Sequence, residues 1–274
     1  MYNTIMVTND ASISAHNTAH GESCMRLSIL GSGTAIPDAE RGSPGLALEA
    51  GSNLILLDIG SGSLYRAERA GIRVQDIDHL LITHLHIDHV GDLAPLLFAF
   101  RSSEMDRSKR LVVTGPPGIN SFVQQLQQIY GDWVAPLGYP LEVNEIHDGI
   151  LRCGDLKIKV SPVVHGPPSI AYRIEDSTGK AIVYSGDTEF CDSVVECAVN
   201  ADLLVLECAF PEGRARPGHL TPSLAGRIAR ESACKRLLLT HFYPACKGHD
   251  ILGPCARFYS GEILLARDFM ELTI

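Results

Sequence analysis

The chain has 274 residues, 45% of them hydrophobic, and a formal net charge of −9 at pH 7. That length and apolar content support a substantial core, while the acidic balance and the lack of a dense Lys/Arg stripe argue against a long nucleic acid as partner. No apolar run approaches the ~20 residues that a membrane span needs, and no basic segment followed by an apolar core marks a secretory signal, which points to the cytoplasm.

Residues 1–24 are rich in Ser, Thr, Asn, Ala and His with little periodicity. They read as a disordered extension in which His16 and His20 are solvated, leaving 25–274 as a single domain. Residues 26–30 read as a strand, 45–50 and 53–58 as a hairpin turning at Gly51-Ser52, and 63–70 as a short helix closed by Gly71. A buried strand over 79–82 leads to a helix over 89–100, then a strand over 110–114 and a helix from Gly118 to about Tyr130. Short strands follow at 141–146, 151–153, 156–160, 171–175 and 181–185. A helix over 191–200 precedes a buried strand over 203–207. A helix over 221–232 with Thr221 as N-cap precedes a strand over 236–240, and strands at 263–265 and 269–272 close the chain. Periodicity by itself gives a mostly antiparallel α/β arrangement. Eight cysteines, none in a Cys-x-x-Cys pair, read as buried free thiols in a reducing compartment.

The chemistry is concentrated in Thr83-His84-Leu85-His86-Ile87-Asp88-His89-Val90-Gly91-Asp92-Leu93. Imidazole nitrogen and carboxylate oxygen suit zinc and similar dications. In an extended segment His84, His86 and Asp88 share one face. His89 breaks that phase and returns to the same space only if the chain turns into a helix there. One such cluster can serve two adjacent metals.

This segment resembles the signature of the metallo-β-lactamase fold hydrolases, and the resemblance runs from about Met25 to the C-terminus. It implies an α+β fold, an αββα four-layer sandwich. It also implies two divalent metal ions, zinc foremost with Mn2+ or Fe2+ as alternatives: His84, His86 and His165 on one, Asp88, His89 and His241 on the other, and Asp187 bridging. His165 ends an apolar strand between Gly and Pro residues, Asp187 follows Gly186 at a strand end, and His241 ends the run Leu237-Leu-Leu-Thr. A carboxylate has two oxygens for two metals, and an aspartate at 187 points away from a β-lactamase-type site. Family members are often dimeric, so a homodimer is possible.

Two further pieces, Glu207-Cys-Ala-Phe210 and His219-Leu-Thr221, resemble elements of the ribonuclease Z branch and related phosphodiesterases. The resemblance implies that His219 protonates the leaving oxygen and that Glu207 fixes its tautomer. With Asp88, these make the catalytic candidates. Asp58, in Asp58-Ile-Gly60, matches the family's Asp-x-Gly element and is expected to accept a ligand histidine's ring N–H. Thr34, Arg41, Ser43 and His249 are possible substrate contacts, whereas His79 reads as structural and His147 as solvated. Members that process tRNA precursors carry a long arm between the equivalents of His165 and Asp187, which this chain lacks. The expectation is therefore a phosphodiesterase acting on a small or cyclic phosphodiester through a water ionised between the metals. Alternatives are a glyoxalase II-like thioesterase or lactonase, ribonuclease Z-type tRNA 3′ processing, or a metal-holding protein without turnover.

Overall fold

The computed structural model describes residues 24–166 and 168–274. The extension expected over 1–24, with His16 and His20, lies outside the described residues apart from Cys24. Two seven-stranded sheets carry the fold. The first contains β1 (Met25–Gly31), β2 (Gly45–Ala50), β3 (Asn53–Leu57), β4 (His79–Leu81), β5 (Leu111–Gly115), β6 (Leu141–Glu145) and the C-terminal β14 (Glu271–Thr273), in the order β14-β1-β2-β3-β4-β5-β6. The second contains β7 (Gly149–Cys153), β8 (Leu156–Val163), β9 (Ser169–Glu175), β10 (Ala181–Tyr184), β11 (Leu203–Glu207), β12 (Arg236–Thr240) and β13 (Glu262–Leu265), in the order β13-β12-β11-β10-β9-β8-β7.

Each sheet changes character halfway. Pairings from β14 to β3 are antiparallel and those from β3 to β6 parallel; β7 to β10 are antiparallel and β10 to β13 parallel. The mostly antiparallel expectation is corrected here: strand period reports which faces are buried, not which way a partner runs.

Both faces of the central strands are covered, so they read as unbroken apolar runs. Ile55 and Leu57 pack toward the second sheet, against Ile158, Tyr172 and Ile182, while Leu54 and Leu56 pack outward. That outer face is covered by α3 (Leu93–Ala99) and α4 (Ile119–Tyr130), through Leu96, Leu97, Ile119 and Val123. On the far side, Leu204 and Leu206 pack against Val194 of α5 (Asp192–Cys197), Ala225 and Ile228 of α6 (Pro222–Glu231) and Cys255 of α7 (Leu252–Ala256). The result is the four-layer αββα sandwich. Each buried Leu, Ile or Val contributes ~1.5–3 kcal/mol relative to exposure. A polar tie joins the sheets near their carboxyl ends: Tyr172 of β9, fully buried, donates its hydroxyl to the Ile82 carbonyl at 2.8 Å.

Local differences have local causes. The helix expected over 89–100 begins earlier, as α2 (Ile87–Val90), and breaks at Gly91-Asp92 before α3. Asp92 is drawn off to cap α1 (Ser63–Arg69), accepting the Gly62 and Leu64 amides at 3.0 Å. Thr221 holds the N-cap position of α6 without a side-chain capping bond. Helix α7 had no counterpart in the sequence reading, since Leu-Gly-Pro-Cys-Ala has neither period nor propensity. All eight cysteines are free, and six of them are buried. Among the described residues no helix is long and apolar enough to cross a membrane.

Candidate metal centre

Parallel strands point their carboxyl ends the same way, and loops at such an edge converge on a crevice. Asp58 follows β3, β4 runs into Thr83 to His89, β10 is followed by Asp187, β11 ends at Glu207 and β12 delivers His241. His165 follows β8 from the antiparallel half. The structure brings all seven expected ligands together, in the groups His84-His86-His165-Asp187 and Asp88-His89-His241.

In the first group His86 Nδ1 lies 3.0 Å from both His84 Nε2 and His165 Nε2. Three nitrogens bound at 2.0–2.1 Å around one tetrahedral zinc sit about 3.3 Å apart, so this spacing fits a single cation. Asp187 Oδ2 stands 3.8 Å from His84 Nε2 and 3.6 Å from His165 Nε2. The other oxygen, Oδ1, faces the second group at 3.4 Å from both His89 Nε2 and His241 Nε2. Asp88 Oδ2 closes that group, 3.5 Å from His241 Nε2 and 3.9 Å from His89 Nε2. The two Asp187 oxygens are thus divided between the two groups.

The extended-face argument holds for His84 and His86 only. Helix α2 starts at Ile87, so Asp88 and His89 both reach the centre from its first turn.

A buried polar atom without a partner is costly, and such atoms collect here. His89 Nε2, Asp187 Oδ1 and both ring nitrogens of His241 are buried and unbonded. His89 Nε2, His241 Nε2 and Asp187 Oδ1 face one another and Asp88 Oδ2 at 3.4–3.9 Å, which is the arrangement a divalent cation satisfies. Burial, opposed by Asp187, keeps the His84 imidazole well below its ordinary pKa, and burial also lowers His86 and His165. Neutral rings offer lone pairs. Asp187 is held well below the ordinary carboxylate range: burial opposes this, but the surrounding His241 and His89 prevail. His89 moves the other way. Burial resists its charge, yet Asp187 and Asp58 raise it, so a cation at Nε2 competes with a proton.

Hydrogen bonds fix the tautomers. His165 Nδ1 lies 2.7 Å from the Gly218 carbonyl, which only accepts, so Nε2 carries the lone pair. Asp58 takes the Thr83 amide at 2.8 Å on Oδ1, and His89 Nδ1 at 2.7 Å, the Tyr184 hydroxyl at 2.8 Å and the Thr83 hydroxyl at 2.8 Å on Oδ2. With its proton on Asp58, Thr83 Oγ1 is left to accept from His84 Nδ1 at 3.1 Å. One carboxylate therefore orients a histidine in each group.

The glycines of two motifs have steric reasons. A Cβ at Gly60 would come within 2.0 Å of the Asp88 carbonyl oxygen, and one at Gly186, whose φ is +56°, within 2.5 Å of Thr83 Cβ. Asp58 and His241 are themselves left-handed, with φ of 57° and 59°. Such strain persists only where the surroundings over-determine it.

His219 adjoins this centre, its ring 4.9 Å from His165 and 5.9 Å from His241. Its Nδ1 is 2.8 Å from Glu207 Oε1, and Glu207 also accepts the amides of Thr188, Ala209 and Leu220 at 3.0–3.1 Å. Burial lowers the imidazole's affinity for a proton, but the Glu207 carboxylate outweighs it and raises the His219 pKa.

The remaining candidates lie outside the two ligand groups. Arg41 donates to Ser32 Oγ at 2.7 Å and the Ala266 carbonyl at 2.8 Å, Ser43 donates to the Thr34 carbonyl, and Thr34 Oγ1 accepts the Ile36 amide. Thr34 and Ser43 hold their own loop together, while Arg41 braces that loop against the residue after β13 and lines the cavity beside Tyr243. His249 is exposed and lines a cavity beside Tyr243, His79 is half-buried on β4 and His147 is exposed. The sequence reading missed Tyr184 and Tyr243, and named Phe210 only as the end of the Glu-x-x-Phe element. Phe210 stacks on Tyr243 at 4.6 Å, and Tyr243 stands 5.8 Å from both His219 and His241. Position alone could have signalled Tyr243, two residues past a ligand on the same loop.

The beta-lactamase superfamily domain profile matches residues 53–242. A ribonuclease Z of Mycolicibacterium gilvum (strain PYR-GCK) is 32% identical over 80% of this chain and 85% of its own length. One of Mycobacterium bovis (strain BCG / Pasteur 1173P2) is 31% identical over 91% and 98%. Among solved structures, the metallo-beta-lactamase fold protein YhfI from Bacillus subtilis superposes with a TM-score of 0.81 at 25% identity, over 92% of this chain and 100% of that one. The short form of human tRNase Z gives 0.74 at 23% identity over 90% and 98%, which shows a shared fold.

Proposed function

This chain belongs to the metallo-β-lactamase superfamily and is a metal-dependent hydrolase of ester bonds; on that premise we propose that it is a phosphodiesterase, acting through two divalent cations on a short or cyclic phosphodiester. Residues 25–274 act as one hydrolase domain in this reading. His84, His86 and His165 hold one cation, Asp88, His89 and His241 the other, and Asp187 both; zinc suits this donor set, with Mn2+ and Fe2+ as alternatives. Dications bound there would supply a water ionised near neutral pH and would offset the charge on the phosphoryl oxygens.

The protein's own groups do the rest. Asp58 keeps the His89 proton on Nδ1, so Nε2 faces inward as a ligand. Asp88 receives the Ala35 amide at 3.1 Å, which steadies its carboxylate. Glu207 holds His219 by Nδ1, leaving Nε2 as the site from which a proton passes to the departing oxygen.

The Glu207–His219 pair carries the reading. Cleavage of an unactivated phosphodiester releases an alkoxide that needs a proton, whereas a thiolate departs without one. An acid held beside the ligand groups by a buried carboxylate therefore favours a phosphodiester over the thioester of a glyoxalase II-like enzyme; a lactone, which also opens to an alkoxide, is separated by the assay below. A second reading, tRNA 3′ processing, draws support from the ribonuclease Z relatives. Against it, the interval between His165 and Asp187 is filled by the β9–β10 hairpin alone.

A metal-replete screen separates these readings. The substrates are bis-p-nitrophenyl phosphate, 2′,3′-cyclic nucleotides, a thioester, a lactone and a tRNA precursor. Turnover of small diesters above the carbonyl substrates is expected; faster turnover of the thioester or lactone overturns the proposal, and efficient cleavage of the precursor establishes the second reading.

A further inference from the structure

The loop between β11 and α6 carries His219, and it also builds a cleft that the metal-ligand groups do not occupy. The cleft encloses about 510 Å³ between Phe210, Gly213, Arg214, Ala215, Arg216 and Ala245. Its wall toward the metal centre is Phe210, whose ring lies 5.5 Å from His219. The rest of the lining is small residues and two arginines. Arg214 and Arg216 are exposed, and neither side chain has a hydrogen-bonding or ion-pair partner among the described residues. The acid of the same loop is engaged elsewhere: Glu212 Oε2 accepts the Ser223 amide at 3.2 Å, at the start of α6. The Arg216 carbonyl accepts the His219 amide at 3.2 Å, which ties the second arginine to the histidine.

Two unpaired guanidiniums two residues apart gain nothing from the fold, and on a chain of net charge −9 they add local positive charge to this cleft. The guanidinium fork matches phosphate oxygens in pairs, and an aromatic face offers a surface for a base. The cleft shares Phe210 with the surroundings of His219, the residue that in this reading gives a proton to the departing oxygen.

We propose that this cleft binds a phosphate on the leaving group. The substrate class is then a linear nucleotide diester whose departing fragment carries at least one further phosphate, from an oligonucleotide end or from a nucleoside polyphosphate. This assignment rests on the phosphodiesterase reading above.

The test measures binding, by calorimetry on the metal-loaded protein. The ligands are dithymidine joined by a non-hydrolysable methylphosphonate, the same compound with a 3′- or 5′-terminal phosphate, and ADP. One terminal phosphate is expected to tighten binding about tenfold, as for a charge-assisted contact in a partly open cleft. Preference for the phosphorylated dinucleotide identifies an oligonucleotide end, and preference for ADP a nucleoside polyphosphate. The R214A/R216A double variant is expected to lose this increment, and R214K/R216K to recover part of it. Equal metal content in all three proteins serves as the check on folding.

A wild-type protein indifferent to the terminal phosphate, or a double variant that keeps the increment, overturns the proposal. The increment does not depend on turnover. A protein that shows it but hydrolyses no phosphodiester would sink the reading of the reaction and leave the subsite in place.

Discussion

Replacing Asp58 with Asn tests the idea that one carboxylate sets the histidines of both ligand groups. Asn keeps the volume and tolerates the left-handed backbone at φ 57°, so the change acts through hydrogen bonds. With its amide nitrogen at the Oδ1 position, it faces the Thr83 N–H, which cannot reverse, and leaves a buried donor unpaired. With the nitrogen at Oδ2, it faces the Thr83 and Tyr184 hydroxyls and His89 Nδ1. The histidine can then satisfy it only by moving its proton to Nε2, where a cation should bind.

An unpaired buried donor costs ~1–3 kcal/mol, and the lost charge assistance on the other bonds about 1 kcal/mol each. The sum, ~4–6 kcal/mol, is a large share of the ~5–15 kcal/mol that stabilises a typical fold. Urea unfolding of the chelator-treated protein should show that loss. Competitive titration with a chromogenic chelator should show metal affinity falling by about 10–100-fold. A variant within about 1 kcal/mol of wild type that binds both cations equally well would refute the argument.

Four further outcomes follow from the same geometry. Asp187→Ala removes the group shared by both ligand sets, so metal content by mass spectrometry should fall at both positions together; loss of one equivalent with the other intact would contradict the shared role. His219→Asn should lower kcat by about 10²–10⁴-fold for alkyl diesters and much less for p-nitrophenyl esters, whose leaving group needs no proton. Because Glu207 raises the His219 pKa, activity that needs protonated His219 persists below that pKa and is lost as pH rises through it. Glu207→Gln should therefore move the alkaline limb of the kcat profile to lower pH, and a limb that stays put would exclude His219 as the acid. Gly60→Ala drives a methyl into the Asp88 carbonyl and should cost several kcal/mol, ~3 or more, along with metal affinity, whereas Gly51→Ala, with open space around it and only its left-handed φ of +60° to oppose a side chain, should cost ~1–2 kcal/mol by thermal unfolding and leave metal affinity unchanged.

The sequence by itself determined which chemistry was possible. Three imidazoles and a carboxylate within six positions have little use except around a cation, and apolar runs ending in Asp187, Glu207 and His241 place polar groups at strand ends. Four covered faces made the sandwich's strands legible as well, through hydrophobic runs bounded by Gly, Asp and Asn. Direction, convergence and division of labour were decided by tertiary structure. Half of each sheet is parallel because partners are chosen across the fold, which a local period does not encode. Asp88 owes its place to a helix starting at Ile87, not to strand alternation. Tyr184 reaches Asp58 across the interface between the sheets, and Phe210 meets Tyr243 from a separate loop; each pair is distant in sequence and joined only by packing. Arg41 and Arg214 are both arginines in glycine-bearing loops. Only the hydrogen bonds that one has, and the other lacks, separate a structural brace from a group left to meet a ligand.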